Sequence, residues 1–217
     1  MKHLIRLLTF LLLVAAPLTA VTPVEDIAKR VDRRYNELRT LSADFVETYR
    51  GLGMSRTESG TLWLKKPGKM RWDYRQPHEK LFLIDGKTAY FYVPGDRQAR
   101  KTAVKNLDDL RSPLRYLLGK TKLQKEFEDL AMVEGVPPLT AGNIVLRGVP
   151  RHLAERVSMV LLEVTPQGRI ERIVAEDVDG SSTEFRFSNQ REDVTLADSS
   201  FRFSAPPGVE VIEAATF

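Results

Sequence analysis

The chain of 217 residues contains no cysteine and only three histidines. Without a thiol it cannot form a disulfide, offer a cysteine nucleophile, or bind zinc or an iron–sulfur cluster through thiolates. His78 and His152 are not spaced as a metal-binding pair, and the sequence has no Gly-x-Ser-x-Gly nucleophile motif. We therefore expect that the protein is not an enzyme and has no metal site and no cofactor.

Long apolar runs are also absent, apart from one at the N-terminus. Lys2 and Arg6 begin the chain, residues 7–16 are apolar, and Pro17-Leu18-Thr19-Ala20 provides the small residues of a cleavage site. This stretch is too short for a membrane-spanning helix, which needs about 20 apolar residues. Residues 1–20 are therefore predicted to be a secretory signal peptide, and residues 21–217 a single exported domain.

A strong charge of one sign is absent as well. Lysine and arginine total 33 against 29 acidic residues, a net charge of +4. The predicted signal peptide contains two of these basic residues and no acidic ones, so cleavage lowers the surplus to +2. Basic residues over 65–75 do alternate with Trp63, Trp72 and Tyr74, as in a groove that stacks bases. Export and a nearly neutral chain nevertheless exclude nucleic acid as the expected partner.

The first segment of the predicted domain has helical periodicity. Thr22 suits the cap position, Pro23 the first helical position, and Glu25 completes a capping box. Apolar residues then recur at helical spacing along one face: Val24, Ile27, Val31, Leu38 and Leu41. We expect a helix of about 18 residues that packs this face against a larger body.

After Ser42 the apolar period changes to two, which is typical of strands. Strands are predicted over 43–49, 60–66, 70–74, 80–84, 88–93, 144–147, 158–164, 169–176 and 183–189. Short turns such as Asp85-Gly86 and Pro94-Gly95 separate them and favour an antiparallel meander. Two further helices are predicted, one over 113–118 and one over 120–134.

The hairpin around Pro67-Gly68 has a register that the sequence can predict. A three-residue loop, Pro67-Gly68-Lys69, pairs Lys66 with Met70, Leu64 with Trp72 and Leu62 with Tyr74. This register collects large apolar residues on one face and charged ones on the other, with Lys65 opposite Arg71 and Lys66 at the rim of the apolar face. Both a filled core and a ligand cavity fit such a face.

Several segments together resemble the periplasmic outer-membrane lipoprotein carriers, the LolA family. The most specific is residues 60–77, which contain Leu62-Trp63-Leu64-Lys65-Lys66-Pro67-Gly68 and Met70-Arg71-Trp72-Asp73-Tyr74. The other segments are Ser42-Ala43-Asp44-Phe45, Asp85-Gly86-Lys87-Thr88, Tyr90-Phe91-Tyr92, residues 113–119, Phe201-Arg202-Phe203 and residues 206–211. The resemblance covers nearly the whole predicted domain.

The resemblance implies a mainly β protein with helices, namely an incompletely closed antiparallel β-barrel with a helical lid over an apolar cavity. It implies a periplasmic carrier that binds the acyl chains of lipoproteins and shuttles them from the inner to the outer membrane. The implied partners are acylated lipoproteins, an inner-membrane ABC transporter complex and an outer-membrane lipoprotein receptor. We expect a monomer.

The resemblance and the hairpin pattern also define a candidate site. We expect the cavity to be lined by Leu62, Leu64, Met70, Trp72, Tyr74, Phe82, Tyr90 and Tyr92. The short helix would cover this cavity through Leu114, Leu117 and Leu118. Lys66 stands where the family has a basic residue, often arginine, that ties the lid to the barrel. Lysine lacks the planar fork of arginine, so this latch is expected to be looser or to form differently.

Other functions on the same fold fit these patterns too. The alternatives are a binding module for another lipid or a glycolipid, and a sensor domain that reads envelope stress. The chemical identity of a lipid bound to the purified protein would discriminate among them.

Overall fold

A computed structural model describes residues 23–106, 115–118 and 122–215. Three α-helices lie in these residues, α1 Val24–Glu37, α2 Arg115–Leu118 and α3 Leu123–Glu126, together with two short 3-10 helices, Val104–Asn106 and Asp198–Phe201. The strands are β1 Thr40–Gly51, β2 Met54–Lys65, β3 Lys69–Gln76, β4 Lys80–Asp85, β5 Thr88–Tyr92, β6 Gln98–Ala103, β7 Phe127–Met132, β8 Ile144–Pro150, β9 Val157–Val164, β10 Ile170–Asp177, β11 Ser182–Glu192 and β12 Glu210–Glu213.

The twelve strands form one sheet in the order β12-β6-β5-β4-β3-β2-β1-β11-β10-β9-β8-β7. Neighbouring strands are antiparallel except β12, which pairs in parallel with β6. In the part of the chain that the model describes, the sheet curves around the helices without closing into a barrel. The predicted mainly β architecture, open and covered by helices, is confirmed. No helix in the described residues is long and apolar enough to span a membrane.

Helix α1 is shorter than the periodicity predicted. It has 14 residues, because Leu38 already has an extended backbone and Thr40 begins β1. Ile27, Val31 and Tyr35 follow one another every four residues and are buried, as an amphipathic helix requires. Leu38 and Leu41 are buried as expected, but from the connection and from β1. The predicted signal peptide and the predicted cap Thr22 lie outside the described residues.

Two further elements differ from the prediction. The helix predicted over 120–134 lasts for only four residues as α3, and Phe127–Met132 then form β7. Pairing with β8 determines this change, since Phe127 lies opposite Pro150 and Met132 opposite Leu146. Strand β6 is not among the predicted strands, because its sequence Gln98–Ala103 is mostly polar and lacks a clear apolar alternation.

The β2–β3 hairpin differs from its predicted register by two residues. Lys65 pairs with Lys69, Leu64 with Met70, and Leu62 with Trp72, so the loop is Lys66-Pro67-Gly68. Because side chains alternate with period two, a shift of two leaves each residue on its predicted face. We call the face that carries Leu62, Leu64, Met70 and Trp72 the inner face, and the opposite one the outer face.

Two segments that are far apart in the sequence cover the two faces of the sheet. On the inner face the apolar side of α1 forms one buried cluster with the sheet. On the outer face residues 194–203 cross the hairpin, where Lys65 Nζ donates to the Leu196 carbonyl at 2.7 Å and Arg71 to the Ser200 carbonyl at 3.0 Å. At the β2–β3 hairpin, the sheet therefore lies between α1 on one side and residues 194–203 on the other.

Candidate functional site

The centre of the inner face is a buried apolar surface formed by adjacent strands. The register places Leu62 beside Trp72 and Trp72 beside Phe82, and Leu64 beside Met70. Leu62, Leu64, Met70 and Trp72 are each at most 2% exposed, and Tyr74 and Phe82 are partly buried against them. Six of the predicted cavity residues are thus brought together, on a face that is occupied by helices in this conformation.

Tyr90 and Tyr92 do not share this face. Tyr90 pairs with Leu83 and Tyr92 with Leu81. Both leucines are next to Phe82 in β4, so they lie on the opposite face of the sheet. The Tyr90 ring instead stacks on Phe203 with a centroid distance of 5.0 Å, and Tyr92 lies 6.1 Å from the same ring. Their predicted position with Trp72 is wrong, because Ala89 and Phe91, which pair with Ile84 and Phe82, are the residues of β5 on the inner face.

Aromatic residues from other strands complete the inner face. Phe45 in β1 makes an edge-on contact with Trp72 at 4.5 Å, and Phe185 in β11 does so at 5.6 Å. Phe187, two residues further along β11, stacks parallel to Phe185. These three are not among the residues predicted for the site. Their alternation in β1 and β11 is visible in the sequence, but it does not show that β11 pairs with β1.

Helices α1 and α2 supply the cover over this surface. Leu117, predicted to face the cavity, is 1% exposed, and the adjacent Tyr116 is equally buried and stacks on Phe127 at 5.1 Å. Both belong to the same buried cluster as Trp72 and Val31. The predicted lid residue Leu114 and the side chain of Leu118 lie outside the described residues. Tyr116 is a cover residue that the predicted leucine face does not include.

Lys66 connects the hairpin loop to α1. Its ammonium group donates a hydrogen bond to the Tyr35 carbonyl in the last turn of the helix, and its backbone N–H donates to the Arg39 carbonyl at 2.9 Å. The C-terminal end of a helix carries partial negative charge, so a cation is favourable there. Burial lowers the pKa of the Lys66 ammonium, and a more distant Asp193 carboxylate partly opposes this.

On its other side α1 is held by strands β9 to β11. The Tyr35 hydroxyl accepts a hydrogen bond from the Ile170 N–H at 3.0 Å, and Arg34 bonds Glu192 at 2.7 Å. Gly168, with φ of +82°, lies so close that a β-carbon there would be 2.6 Å from the Arg30 carbonyl carbon. The helix thus has a broad attachment to this half of the sheet and contacts the hairpin loop through Lys66.

Beyond Trp72 the inner face becomes polar. Tyr74 donates from its hydroxyl to Glu47 at 2.8 Å, and Lys80 pairs with the buried Glu58 at 2.6 Å. The Lys80 ammonium also lies 4.3 Å from the centre of the Tyr74 ring. Burial raises the pKa of Glu47, although the hydrogen bond from Tyr74 acts in the opposite direction. The charged side chains at this end of the inner face thus form hydrogen bonds and ion pairs with neighbouring side chains of the same face.

One donor at the centre of the inner face has no partner. The indole N–H of Trp72 is buried and makes no hydrogen bond within the described residues. An unsatisfied buried donor costs roughly 1–3 kcal/mol relative to a satisfied one. Among the residues that the structure describes, this N–H is thus an unused polar group surrounded by apolar side chains.

An open pocket of about 550 Å³ lies outside this surface, between α1 and the β9–β10 turn. Its lining is mainly charged, including Arg30, Arg33, Arg34, Glu37 and Glu192. This pocket is not the predicted apolar cavity, because acyl chains would not be desolvated favourably against such groups.

An open sheet whose aromatic inner face is covered by helices defines a class of proteins that enclose a large apolar surface. The model of the outer membrane lipoprotein carrier protein LolA family matches residues 36–204, and the chain belongs to this family. Outer-membrane lipoprotein carrier proteins from Nitrosospira multiformis and Nitrosomonas europaea are 32% and 26% identical to it, over 80% and 94% of this chain and 82% and 98% of theirs. The crystal structure of an uncharacterized conserved protein from Thermus thermophilus has the same fold, with a TM-score of 0.56 and 15% identity over 88% of this chain and 98% of that one.

Proposed function

We propose that the protein is a periplasmic carrier that binds the acyl chains of lipoproteins on its inner face and shuttles them from the inner to the outer membrane. The observation that carries this proposal is the continuous apolar surface from Leu64 to Phe187, covered by helices rather than by a second sheet. A helix attached to one half of the sheet can move away from the other half without breaking strand pairing. Family membership supports the same function.

The energetics of lipid transfer require such a surface. Burying each CH₂ group is worth about 0.8 kcal/mol, so one acyl chain of about sixteen carbons represents on the order of 10 kcal/mol. A carrier must offer comparable burial and still release the chain at its destination. A face that exchanges its own helices for the acyl chain meets both needs, because the helices compete with the cargo for the same apolar contacts.

The proposed binding surface consists of side chains that lie together on the inner face: Leu62, Leu64, Met70, Trp72, Tyr74, Phe82, Phe45, Phe185 and Phe187. Met70 suits variable acyl chains because its unbranched side chain adapts to their shape. The ester carbonyl of an acyl group would give the Trp72 N–H the acceptor that it lacks. Leu114, Leu117, Leu118 and Tyr116 would cover the chain, and Lys66 would hold the closed form.

We further propose the partners that such a cycle needs. An inner-membrane ABC transporter complex would deliver the acylated lipoprotein, and an outer-membrane lipoprotein receptor would accept it. Residues 1–20 would direct the chain to the periplasm as a cleaved signal peptide, and the monomer would be the working unit. No catalytic step enters this cycle, since cargo is released by differences in affinity alone.

Mass spectrometry of protein purified from its native host tests this proposal. The wild-type protein should carry acyl chains, and Met70→Glu should carry several-fold fewer, because a carboxylate on the inner face opposes apolar burial. Phe82→Glu repeats the test at a position that is only partly buried and therefore tolerates the charge better. The matched control is Val46→Glu, which places the same charge on the outer face of β1, where Val46 is 38% exposed.

Circular dichroism and thermal unfolding should establish that each variant is folded. Acyl content that is zero in the wild type, or that stays at the wild-type level in both folded inner-face variants, would contradict the proposal. An equal loss in Val46→Glu would assign the effect to charge in general and would also contradict it.

A further inference from the structure

Two neighbouring turns at one end of the sheet expose large apolar side chains. Leu52 and Met54, at the β1–β2 turn, are 85% and 60% exposed, and Val178, at the β10–β11 turn, is 61% exposed. The turns are adjacent because Arg50 pairs with Ser182, and a β-carbon on Gly51 would lie 2.5 Å from the Ser181 β-carbon. We call Leu52, Met54 and Val178 the apolar tip.

Leu52 occupies its position against two local preferences. The β1–β2 loop is the pair Leu52-Gly53 between the paired residues Gly51 and Met54, with φ values of 51° and 75°. Asparagine, aspartate and glycine are favoured in such turns, and a branched apolar residue with positive φ is uncommon. Exposure adds a second cost. A residue that is unfavourable both in its backbone conformation and in its exposure to water is expected where function requires it.

The apolar tip also projects from the sheet. Strand β2 pairs with β1 from Met54 onward, whereas its pairing with β3 begins only at Ser59. At about 3.3 Å per residue, the end of the hairpin extends roughly 15 Å beyond β3. Leu52 can therefore reach a flat surface before the neighbouring β3–β4 turn does.

Cationic and aromatic side chains follow directly behind the tip. Arg50 lies on the outer face and Arg56 on the inner face, and both side chains are 56% exposed. Arg50 is 4.0 Å from Glu184 and Arg56 is 3.3 Å from Glu58, so neither ion pair encloses its guanidinium. Arg56 also lies 6.0 Å from the centre of the Tyr49 ring.

This order of side chains fits a lipid bilayer. Arg50 and Tyr49 lie two and three residues behind Leu52, and Arg56 pairs with Tyr49, so all three are roughly 7–10 Å behind the tip along the strands. Apolar side chains at that spacing reach the acyl region, while tyrosine and arginine remain among the headgroups and phosphates. Behind the tip, arginine therefore lies on both faces of the hairpin and tyrosine on the inner face, an arrangement that suits phospholipid headgroups better than a protein pocket.

We infer that the apolar tip docks on a phospholipid bilayer by inserting Leu52 and Met54, with Arg50 and Arg56 at the phosphates. Asp177 and Asp179 flank Val178 and accept hydrogen bonds from Ser181, and their charge opposes anionic lipid. These carboxylates offset the charge of the two arginines. The inserted apolar side chains therefore supply most of the binding free energy, and vesicle binding should change little with salt concentration. The inference does not depend on acyl binding, which uses different side chains.

Flotation of the mature chain with vesicles of phosphatidylethanolamine and phosphatidylglycerol, at a ratio of 3:1, tests the inference. Leu52→Asn should weaken vesicle binding about tenfold, since a buried leucine side chain is worth about 1.5–3 kcal/mol. Asparagine is favoured in this turn, so the variant should fold at least as well as the wild type. The matched control is Leu139→Asn, an exposed leucine at the opposite end of the sheet that should leave binding unchanged.

The inference is overturned if the wild type does not float, if Leu52→Asn floats equally well, or if Leu139→Asn shows an equal loss. A dimer that analytical ultracentrifugation detects in the wild type but not in Leu52→Asn would assign the tip to a second copy and would also overturn it. Acyl content of Leu52→Asn should equal that of the wild type. Failure of the acyl-binding proposal would therefore be seen separately from failure of membrane docking.

Discussion

Lys66 and Tyr35 join the loop of the β2–β3 hairpin to the last turn of α1 through one hydrogen bond from an ammonium group to a backbone carbonyl. Tyr35 belongs to the helix that covers the inner face, and Lys66 to the hairpin whose strands form part of that face. Away from the hairpin, α1 is attached to strands β9 to β11 through Ile170, Glu192 and Gly168. The bond therefore ties the last turn of α1 to the hairpin half of the sheet.

Lys66→Met should loosen this closure while keeping an apolar stem of similar length. Loss of a hydrogen bond to a charged group costs about 1.5–3 kcal/mol, so amide hydrogen exchange in the last turn of α1 should accelerate by roughly tenfold or more. Lys66→Arg keeps the positive charge and should retain most of the protection. Hydrogen-exchange mass spectrometry measures both, and unchanged exchange in Lys66→Met would show that the bond does not hold the helix.

Gly168→Ala should destabilise the contact between α1 and the β9–β10 turn. A β-carbon there would lie 2.6 Å from the Arg30 carbonyl carbon and 2.7 Å from the Val31 nitrogen, and residue 168 also has positive φ. We expect a loss of about 2–4 kcal/mol in the free energy of unfolding, from backbone strain and overpacking together. The measurement is chemical denaturation.

The matched control is Gly180→Ala, which has φ of +84° and nothing within 4 Å of the added carbon. It should lose only about 1 kcal/mol, the cost of the left-handed backbone alone. Equal losses in the two variants would show that the helix moves aside at no cost.

Glu47→Gln should stabilise the protein at neutral pH. Burial raises the pKa of Glu47, so the folded state binds a proton more readily than the unfolded state, and stability falls as pH rises above the ordinary glutamate range. Glutamine keeps an acceptor for the Tyr74 hydroxyl and removes the buried charge. The gain in the free energy of unfolding should be largest at pH 7 and should shrink as pH falls to 4. A gain that grows on acidification would contradict the assignment.

Asp198→Asn should weaken the attachment of the C-terminal segment to the hairpin. Asp198 Oδ1 lies 2.9 Å from Lys69 Nζ and 3.0 Å from Lys65 Nζ, two cations that face each other across the strands. Hydrogen bonds from Lys69 and Lys65 lower the pKa of Asp198 to about 2. The wild type should therefore be more stable than the variant above pH 4, and the difference should vanish as pH falls towards 2.

Salt provides a second check on Asp198. Because the carboxylate is exposed, 1 M salt should reduce the difference in melting temperature between wild type and Asp198→Asn. A difference that persists unchanged at pH 2 or at high salt would show that the aspartate acts through something other than its charge.

The sequence was sufficient to predict which residues share a face of the β2–β3 hairpin, but not their partners. Burial of Leu62, Leu64, Met70 and Trp72 depends on alternation, which local sequence contains. Lys65 and Lys69 face each other across the hairpin, and Asp198, far along the chain, places one carboxylate between the two cations. The predicted pairing of Lys65 with Arg71 could not include that contact.

Long-range pairing explains the other differences as well. Residues 120–134 have helical spacing, but Phe127 to Met132 are removed from a helix by pairing with β8. Tyr90 and Phe91 are aromatic residues of similar size, and only the pairing of β5 with β4 decides which of them shares a face with Trp72. Phe45 and Phe187 become neighbours because β1 pairs with β11, a contact that no local pattern contains.

The position of residues 194–203 over the outer face has a consequence for the order in which the molecule can form. Lys65, Lys69 and Arg71 obtain their partners from Leu196, Asp198 and Ser200, near the end of the chain. Because synthesis begins at the N-terminus, the hairpin lacks these partners until nearly the whole chain has been made. Contacts of such high sequence separation slow folding. Completion of the outer face of the hairpin is therefore expected to be a late step of folding.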